Sequence, residues 1–302
     1  MSAVETLAPD EGPPGQGPVT LPRAVQFDMV SRLNGRAYRI FVAAPLLPPS
    51  PEGYAVIVTS DGNLSFPIAA QLAGMNALGG GKKAVVVSVG YPSENPLELS
   101  LLRRRDLTPP TPLQNIQPVP GWPEPTEADF GGAEDFYRFL VEELRPAIAA
   151  GWQVDPADQT LYGHSLGGLL TLHVLFAHPD SFRNFVASSP SIWWNERAIL
   201  ADVPAFARRV EAGEVTPRVL ITIGATEQEP PKALPPGMTQ EDANQRIAQA
   251  RMVDNAADLG GRLAALKGAP GYEARYRGLD EDDHSTSLGT SIARAISFAL
   301  RD

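Results

Sequence analysis

The sequence contains no cysteine. Disulfide bonds, thiolate ligands for zinc and a cysteine nucleophile are therefore excluded. Histidine is scarce as well, with four in 302 residues, and no two of them have the HxH or HxxxH spacing common among zinc ligands. The acidic run that ends at His284 does not suggest a metal site, because consecutive residues cannot all converge on one ion. The sequence therefore predicts a protein that works without a metal or another cofactor.

Two further absences concern location and partners. No apolar run approaches the roughly 18 residues that a membrane-spanning helix requires. The N-terminal segment lacks the basic n-region and the apolar h-region of a secretory signal. The formal net charge is −10, and negative charge repels phosphate backbones and anionic lipid. We therefore expect a cytoplasmic protein that acts on a small molecule and binds neither nucleic acid nor a membrane; its oligomeric state stays open.

Short β-branched runs alternate with helical patterns along the chain. Residues 1–23 are rich in proline and glycine and predict a flexible arm, whereas 24–302 predict one domain. Strands are predicted at 24–30, 38–44, 54–60, 83–90, 159–163, 182–189, 218–224 and 272–278. Helices are predicted at 131–150, after Ser165, at 240–267 and at 291–300. This alternation predicts the α/β class, with a mostly parallel eight-stranded sheet and helices on both faces.

The first two predicted strands are joined by a short connection that contains Asn34-Gly35. Asn-Gly is typical of tight hairpin turns, so we expect an antiparallel hairpin at one edge of the sheet.

Two proline-rich stretches, 106–130 and 229–242, interrupt the alternation. We predict that each follows the carboxyl end of a strand, the edge at which open α/β sheets bind ligands. Loops of this length are often functional, so one of them could cover a substrate as a lid. Stiff surface loops without a role in binding are an equally good interpretation.

The strongest functional signal is the segment GHSLGG at 163–168. It follows a β-run and opens an apolar helical stretch, which is the setting of a nucleophile elbow. Glycines at 163 and 167 remove Cβ atoms that would collide in so tight a turn, and they leave the hydroxyl of Ser165 exposed above the sheet. The pattern predicts an α/β-hydrolase fold with Ser165 as nucleophile. An ordinary glycine-rich turn is the alternative.

An unactivated serine is a weak nucleophile, so a base is required. His284 is the candidate, because it follows the last β-run and the fold carries its residues in the order Ser, acid, His. His164 lies inside the elbow, where we expect its side chain to point away from that of Ser165. His173 and His178 ride on the following helix and are expected to pack or to cap. A solvated loop histidine is the alternative for His284.

The acid and the oxyanion donors are less sharply marked. A carboxylate in the loop after residues 218–224 could accept the Nδ1–H of the base, and we choose Glu227 there, with Glu229 second. Either could instead be a solvated glutamate. The amide of Leu166 starts the helix after the nucleophile and points to where an oxyanion would develop. The second amide is expected from Asn63, although its Asp-Gly neighbours could form a simple turn.

Several further segments resemble one branch of the α/β-hydrolases over nearly the whole chain. They are SRLNGRAYRIFVAAP (31–45), SDGN (60–63), RRRDLTP (103–109), TLYGHSLGG (160–168), SSPSIWWN (188–195), IGATE (223–227) and DDHS (282–285). This set resembles the esterase D and enterochelin esterase-like family. The resemblance implies hydrolysis of carboxylic esters through an acyl-serine intermediate. Substrates in the family include siderophore trilactones, S-formylglutathione, small acyl esters and feruloylated sugars.

The resemblance also implies residue roles. Ser165 and His284 match the nucleophile and the base, and the amides of Asn63 and Leu166 match the oxyanion donors. Glu227 falls where the family often has its acid. Some siderophore esterases work with a Ser–His pair alone, which leaves the acid open.

Aromatic and basic residues near these motifs are candidates for substrate binding. Trp193 and Trp194 follow the strand beside the nucleophile and could form a wall for an acyl or aromatic group, although core packing accounts equally well for one of them. The run Arg103-Arg104-Arg105 could attract an anionic substrate, and Arg105 is our choice from it. A solvated basic run is the favoured interpretation of the three.

Two other functions fit the same pattern. An acyltransferase of this fold passes the acyl group to an alcohol instead of to water. A non-catalytic binding protein could reuse the fold, but it would need neither the serine, the histidine nor the elbow glycines. We therefore predict a serine carboxylic-ester hydrolase, possible substrates being a siderophore-type lactone or a small acyl ester, with these two alternatives.

Overall fold

The β-branched runs form one mixed sheet of eight strands in the computed structural model, which describes residues 19–116, 123–230, 234 and 238–301. The strands are β1 (Ala24–Val30), β2 (Ala37–Ala43), β3 (Tyr54–Thr59), β4 (Ala84–Gly90), β5 (Val154–His164), β6 (Asn184–Ser188), β7 (Arg218–Gly224) and β8 (Glu273–Leu279). Their order across the sheet is β1-β2-β4-β3-β5-β6-β7-β8. Strand β2 is antiparallel to both of its neighbours, and all other pairs are parallel. The predicted sheet and edge hairpin are confirmed.

Helical segments cover both faces of the sheet. They are α1 (Gly62–Leu78), α2 (Pro96–Leu107), α3 (Ala133–Arg138), α4 (Arg145–Gly151), α5 (Leu166–Ala177), α6 (Trp194–Arg197), α7 (Val203–Glu211), α8 (Gln240–Ala250), α9 (Met252–Ala264) and α10 (Ser287–Leu300). A π-helical segment, Phe139–Leu144, joins α3 to α4. Side chains of α1 and α10 form the core on one face, and those of α3, α5, α7 and α9 form the core on the other.

Four helices were not predicted from the sequence: α1, α2, α7 and the single-turn α6. Helix α1 starts with glycine and contains Pro67, and both residues weaken a helical signal. Helix α2 starts after Asn95, whose side chain accepts the N–H groups of Leu97 and Glu98, as an N-cap does. The helix predicted at 240–267 is two helices, separated at Arg251, which has a left-handed backbone (φ 43°).

Helix α2 corrects the expected place of the first proline-rich stretch. The stretch begins inside α2 and therefore does not follow strand β4 directly. Arg103 and Asp106 of α2 form ion pairs with Asp61, at the end of β3, and with Arg36, at the turn between β1 and β2. Both partners lie at the carboxyl edge of the sheet, so α2 crosses that edge and the stretch leaves from it.

Some predictions fall on residues that the structure does not describe. The described residues leave out 1–18 of the predicted flexible arm and 117–122 of the first proline-rich stretch. They also leave out 231–233 and 235–237 of the second proline-rich stretch. Within the described ranges, none of the helices combines the length and the apolar character that spanning a bilayer demands.

A buried carboxylate attaches the edge hairpin to the rest of the fold. Glu143 of the π-helical segment is 9% exposed. It accepts hydrogen bonds from the hydroxyl of Ser31 (3.1 Å) and from the backbone N–H groups of Arg32 (3.1 Å) and Leu33 (3.2 Å). Three donors in the turn after β1 therefore depend on one side chain.

We expect Glu143→Gln to lower the free energy of unfolding by about 1–3 kcal/mol, because its amide group places a donor against the donors of the turn. The matched control is Glu142→Gln, which removes the same charge from an exposed residue paired with Arg138. Its urea midpoint should stay near the wild-type value. Equal losses in the two variants would contradict this account of Glu143.

Candidate active site

The turn predicted to be a nucleophile elbow forms where β5 meets α5. Ser165 has φ 60° and ψ −119°, a strained conformation for a residue with a Cβ. A Cβ at Gly163 would lie 2.0 Å from the carbonyl oxygen of Gly167, and one at Gly167 would lie 2.2 Å from Oγ of Ser60. At Gly163 the obstacle is backbone, so only glycine fits, whereas at Gly167 the side chain of Ser60 would have to move. The first glycine of the motif thus permits a close approach of backbone to backbone at the turn that exposes the serine.

Backbone hydrogen bonds to the neighbouring loop hold the strained serine in place. The N–H of Ser165 donates to the carbonyl of Ser188 (3.0 Å), and the N–H of Ser191 donates to the carbonyl of Ser165 (3.1 Å). Because β5 and β6 are parallel neighbours, both loops leave the sheet at the same edge. The adjacent strand therefore stabilises the elbow.

The structure brings Ser165, His284 and Glu227 together. The hydroxyl of Ser165 lies 3.0 Å from Nε2 of His284, and Nδ1 of His284 lies 2.7 Å from Oε2 of Glu227. An Nδ1–H that donates to the carboxylate leaves Nε2 free to accept the serine proton. The order serine, imidazole, carboxylate is the arrangement that activates a serine for attack on a carbonyl carbon.

The carboxylate of Glu227 is held from several sides. Its side chain is 1% exposed. Oε1 accepts the backbone N–H of Gly224 (2.8 Å) and the hydroxyl of Ser189, and the hydroxyl of Ser287 lies 3.4 Å away. Burial raises the pKa of Glu227, but the bonds from His284, Ser189 and Gly224 outweigh burial and hold that pKa below its ordinary value. The group is therefore an anion that faces the imidazole.

Glu229, the second candidate for the acid, does not occupy this position. Its backbone N–H donates to Thr226, and its side chain is exposed. The difference comes from the loop after β7, where the N–H of Thr226 donates to the carbonyl of Asp282. That bond fixes the loop so that Glu227 lies opposite His284.

The loop that carries His284 is organised by Asp283. The carboxylate of Asp283 accepts the N–H groups of Ser285 (2.8 Å) and Thr286 (2.9 Å). The acidic run therefore shapes the turn before α10. Among the described residues, no group of three histidines or acids is arranged to hold a metal ion.

The two amides expected to bind an oxyanion lie in the first turns of helices. Leu166 is the first residue of α5, and Asn63 is the second residue of α1. Amides of a first helical turn have no acceptor inside their own helix. The side chain of Asn63 accepts the N–H of Tyr91 (2.8 Å) and donates to its carbonyl (3.0 Å), which fixes the start of α1 against the loop after β4.

Sequence reasoning missed an ion pair beneath this turn. Asp61 has a left-handed backbone (φ 55°). Its carboxylate accepts two hydrogen bonds from Arg103, at 2.7 Å and 3.0 Å, and a two-fold pair of this kind fixes the orientation of both groups. Because the partners are 42 positions apart in sequence, no local pattern could have connected them.

His164 was also underestimated. Its ring packs against that of His284, with centroids 4.8 Å apart. Its Nε2 lies 3.0 Å from the backbone carbonyl of His284, and its Nδ1 lies 3.2 Å from the hydroxyl of Ser188. Because a carbonyl only accepts, Nε2 carries the proton. Burial, with His284 beside the ring, lowers the pKa of His164 to about 4. His164 is therefore neutral near pH 7 and holds the backbone of His284.

The remaining histidines are remote from this array. Nε2 of His178 lies 3.1 Å and Nε2 of His173 lies 3.4 Å from the carboxylate of Glu134. The ring of His178 also stacks on Tyr137, with centroids 4.1 Å apart. Packing or capping was the predicted role of both, and His178 is the C-cap residue that ends α5.

The two tryptophans have different surroundings. Trp194 is 8% exposed, lies 5.5 Å from the ring of Phe130, and donates its indole N–H to Thr111 (2.8 Å). It therefore attaches the first proline-rich stretch to the loop after β6. Trp193 is 37% exposed and remains a candidate for contact with a substrate.

The arginine run is not a solvated run. Arg103 pairs with Asp61, and Arg104 is buried with its guanidinium 5.1 Å from the ring centroid of Phe130. Only Arg105 is exposed. The carboxylate of Asp61, which pairs with Arg103, lies beside the elbow, because a Cβ at Gly167 would be 3.3 Å from it. The carbonyl of Arg105 instead accepts the N–H of Gly132 at the start of α3. The structure thus places the ion pair of Arg103 beside the elbow, whereas the residue chosen from the sequence was Arg105.

Known proteins resemble this chain over most of its length. The esterase family model, described as "Putative esterase", matches residues 113–264. Ferri-bacillibactin esterase BesA of Bacillus subtilis is 34% identical over 93% of this chain and 91% of its own length. The siderophore triacetylfusarinine C esterase of Aspergillus fumigatus is 35% identical over 94% and 96%. The crystal structure of the BES protein from Bacillus cereus has a TM-score of 0.79 at 29% identity, over 95% of this chain and 99% of that one.

The contacts of His164 predict a pH-dependent stability. Because the folded protein holds its pKa near 4 and the ordinary value is 6.5, the unfolded chain binds more protons between these pH values. Stability should therefore be complete above pH 6.5 and decline as the pH falls towards 4. His164→Gln keeps an N–H donor without a titrating group, so its melting temperature should decline less over this interval.

His164→Met is the control, since it removes the donor as well as the titrating group. It should melt below His164→Gln at pH 7, where neither variant titrates at position 164. Parallel declines of the wild type and His164→Gln between pH 6.5 and 4 would refute the role given to this imidazole.

Proposed function

Because this chain belongs to the siderophore-esterase branch of the α/β-hydrolases and is a serine esterase that hydrolyses carboxylic esters, we propose that its substrate is a siderophore ester cleaved by Ser165, His284 and Glu227. The observation that carries the assignment of residues is the continuous chain of hydrogen bonds from Ser165 through His284 to Glu227. The siderophore is proposed from the two curated relatives, which act on two different siderophores.

The acylation step follows from the positions of the three side chains. Nε2 of His284 takes the proton of Ser165 as the hydroxyl oxygen attacks the ester carbonyl carbon. Glu227 accepts the Nδ1–H throughout and stabilises the imidazolium that forms. The tetrahedral intermediate then collapses, the imidazolium protonates the departing alcohol, and the acyl group stays on Ser165.

Deacylation repeats the sequence with water. His284 takes a proton from a water molecule, whose oxygen attacks the acyl carbon, and then returns the proton to Oγ of Ser165. In both halves the negative charge develops on the former carbonyl oxygen. The amides of Leu166 and Asn63 are the donors proposed for it, since oriented donors are most effective where the charge develops.

An alcohol that replaced water in the second half would make the protein an acyltransferase. Hydrolysis releases the free acid, whereas transfer releases a new ester, so the products in the presence of added alcohol separate the two. A cytoplasmic site of action stays a prediction from the sequence.

Turnover should depend on the hydroxyl of Ser165. We expect Ser165→Ala to abolish hydrolysis of p-nitrophenyl acetate and of an iron(III) siderophore triester, with products followed by chromatography and mass spectrometry, because no acyl-enzyme can form. Ser285→Ala is the control, since it removes a hydroxyl from the loop of His284 while its backbone bond to Asp283 remains. Full activity in Ser165→Ala would end the proposal.

Glu227 should be needed for rate more than for binding. We expect Glu227→Gln to lower kcat at least about a hundredfold with little change in KM, because an amide cannot stabilise the imidazolium. Glu229→Gln, the control two residues away, should retain near wild-type kcat. A wild-type kcat in both variants would show that Ser165 and His284 suffice without an acid. A loss of kcat confined to Glu229→Gln would identify Glu229 as the acid instead of Glu227.

A further inference from the structure

Ser189, the first residue after β6, has a strained backbone at a buried position. Its φ is 42°, in the left-handed region that residues with a Cβ rarely adopt. Among the described residues other than glycine that have a positive φ, it is the only buried one, at 0% exposure. Strain of this kind persists only where the surrounding structure fixes it. The contacts of Ser189 therefore show what the strained backbone achieves.

Those contacts tie the backbone of Ser189 to a neighbouring strand and its hydroxyl to the proposed acid. The N–H of Ser189 donates to the carbonyl of Thr222 (2.7 Å), in the adjacent strand β7. The hydroxyl donates to Oε1 of Glu227, and because a carboxylate only accepts, the direction of this bond is fixed. The hydroxyl of Ser287 lies 3.1 Å from that of Ser189 and can donate to it. The left-handed turn thus directs one hydroxyl at one carboxylate oxygen.

The bond from Ser189 acts on the oxygen of Glu227 that is not bonded to the imidazole. Oε2 lies 2.7 Å from Nδ1 of His284, whereas Oε1 accepts from Ser189 and from the N–H of Gly224 (2.8 Å). Gly224 lies three residues before Glu227, so its bond moves with the turn that carries the acid. Ser189 lies 38 positions away, on the loop after β6. Its bond therefore fixes the carboxylate relative to a different strand.

The end of that strand also holds the other two members of the proposed triad. The carbonyl of Ser188 accepts the N–H of Ser165 (3.0 Å). The hydroxyl of Ser188 lies 3.2 Å from Nδ1 of His164, whose Nε2 lies 3.0 Å from the carbonyl oxygen of His284. Because Ser189 follows directly in sequence, one strand end sets the positions of the nucleophile, the base and the acid relative to one another.

From the strain, the burial and the contact with the carboxylate we propose that Ser189 is a positioning residue that acts on His284 through Glu227. This inference rests on the proposed function and deepens it. The hydroxyl of Ser189 holds Oε1 and leaves Oε2 in line with Nδ1 while His284 gains and loses a proton in each half of the reaction. A carboxylate that could rotate would lose this alignment, and with it part of the stabilisation of the imidazolium.

Two substitutions separate the hydroxyl from the strain. Ser189→Ala removes the hydroxyl and keeps a Cβ on the strained backbone, whereas Ser189→Gly removes the hydroxyl and relieves the strain, because glycine adopts a positive φ readily. We expect both variants to hydrolyse p-nitrophenyl acetate with kcat about tenfold below the wild-type value and little change in KM, since a hydrogen bond to a charged group is lost. Ser189→Gly should nevertheless melt at a higher temperature than Ser189→Ala.

If Ser189 served the fold alone, the glycine variant would keep the wild-type kcat, and that result would overturn the inference. The matched control is Thr160→Val, which removes another buried hydroxyl, one that accepts a hydrogen bond from Asn184 at the start of β6 (3.0 Å). Thr160→Val should melt below the wild type and keep its kcat. A comparable loss of kcat in Thr160→Val would also overturn the inference.

A double variant tests whether Ser189 acts through Glu227. In Glu227→Gln the carboxylate that Ser189 orients is gone, so adding Ser189→Gly should lower kcat by less than about twofold. Equal factors in the wild-type and Glu227→Gln backgrounds would show that the two residues act independently, and the inference would be wrong.

Failure of this inference is distinguishable from failure of the proposed function. If Glu227→Gln lowers kcat and Ser189→Gly does not, Glu227 remains the acid and only the role of Ser189 is wrong. If Glu227→Gln keeps the wild-type kcat, the proposed acid is wrong and the inference fails with it. If Ser165→Ala keeps full activity, the proposed function fails as a whole, and the inference fails too.

Discussion

The hydrogen bond between the buried carboxylate of Glu227 and Nδ1 of His284 is the interaction on which the rest of the site depends. The two residues lie 57 positions apart, but β7 and β8 are parallel neighbours, so the loops that carry them leave the sheet side by side. A buried carboxylate is costly unless it is paired and hydrogen-bonded. Donors from Gly224, Ser189 and Ser287 meet that requirement on one oxygen and leave the other for the imidazole.

The imidazole is fixed by its ring and by its backbone. Glu227 sets the tautomer of the ring, and His164 holds the carbonyl group of the same residue. The elbow supplies both Ser165 and His164, so the strained turn that exposes the proposed nucleophile also positions its proposed base. Asp61 and Arg103 stabilise the opposite side, where α1 begins. Five strands, β3, β5, β6, β7 and β8, thus contribute to the geometry of the proposed site, and each contribution comes from the end of the strand or from the loop that follows it.

Local sequence signals predicted the parts of this site that have local causes. Close approach of backbone at the elbow requires glycine, so a glycine pattern pointed to Ser165 and chain order pointed to His284, and the structure places these two side chains 3.0 Å apart. Glu227 and Glu229 could not be separated, because the choice depends on a backbone bond between two loops, Thr226 to Asp282. The alternation of strands predicted the sheet, whereas α1 and α2 were missed because glycine and proline in or beside their first turns obscure a helical pattern. The arginine run shows the same limit, since ion pairing and burial of its members are tertiary events.

The central claim is that His284, oriented by Glu227, activates Ser165. Covalent phosphorylation by diisopropyl fluorophosphate, followed by peptide mass spectrometry, measures this activation without any assumption about the substrate. The account predicts one adduct per chain, on Ser165, that forms at least about a hundredfold more slowly in His284→Ala. An adduct on another residue, or an equal rate of labelling in His284→Ala, would contradict it.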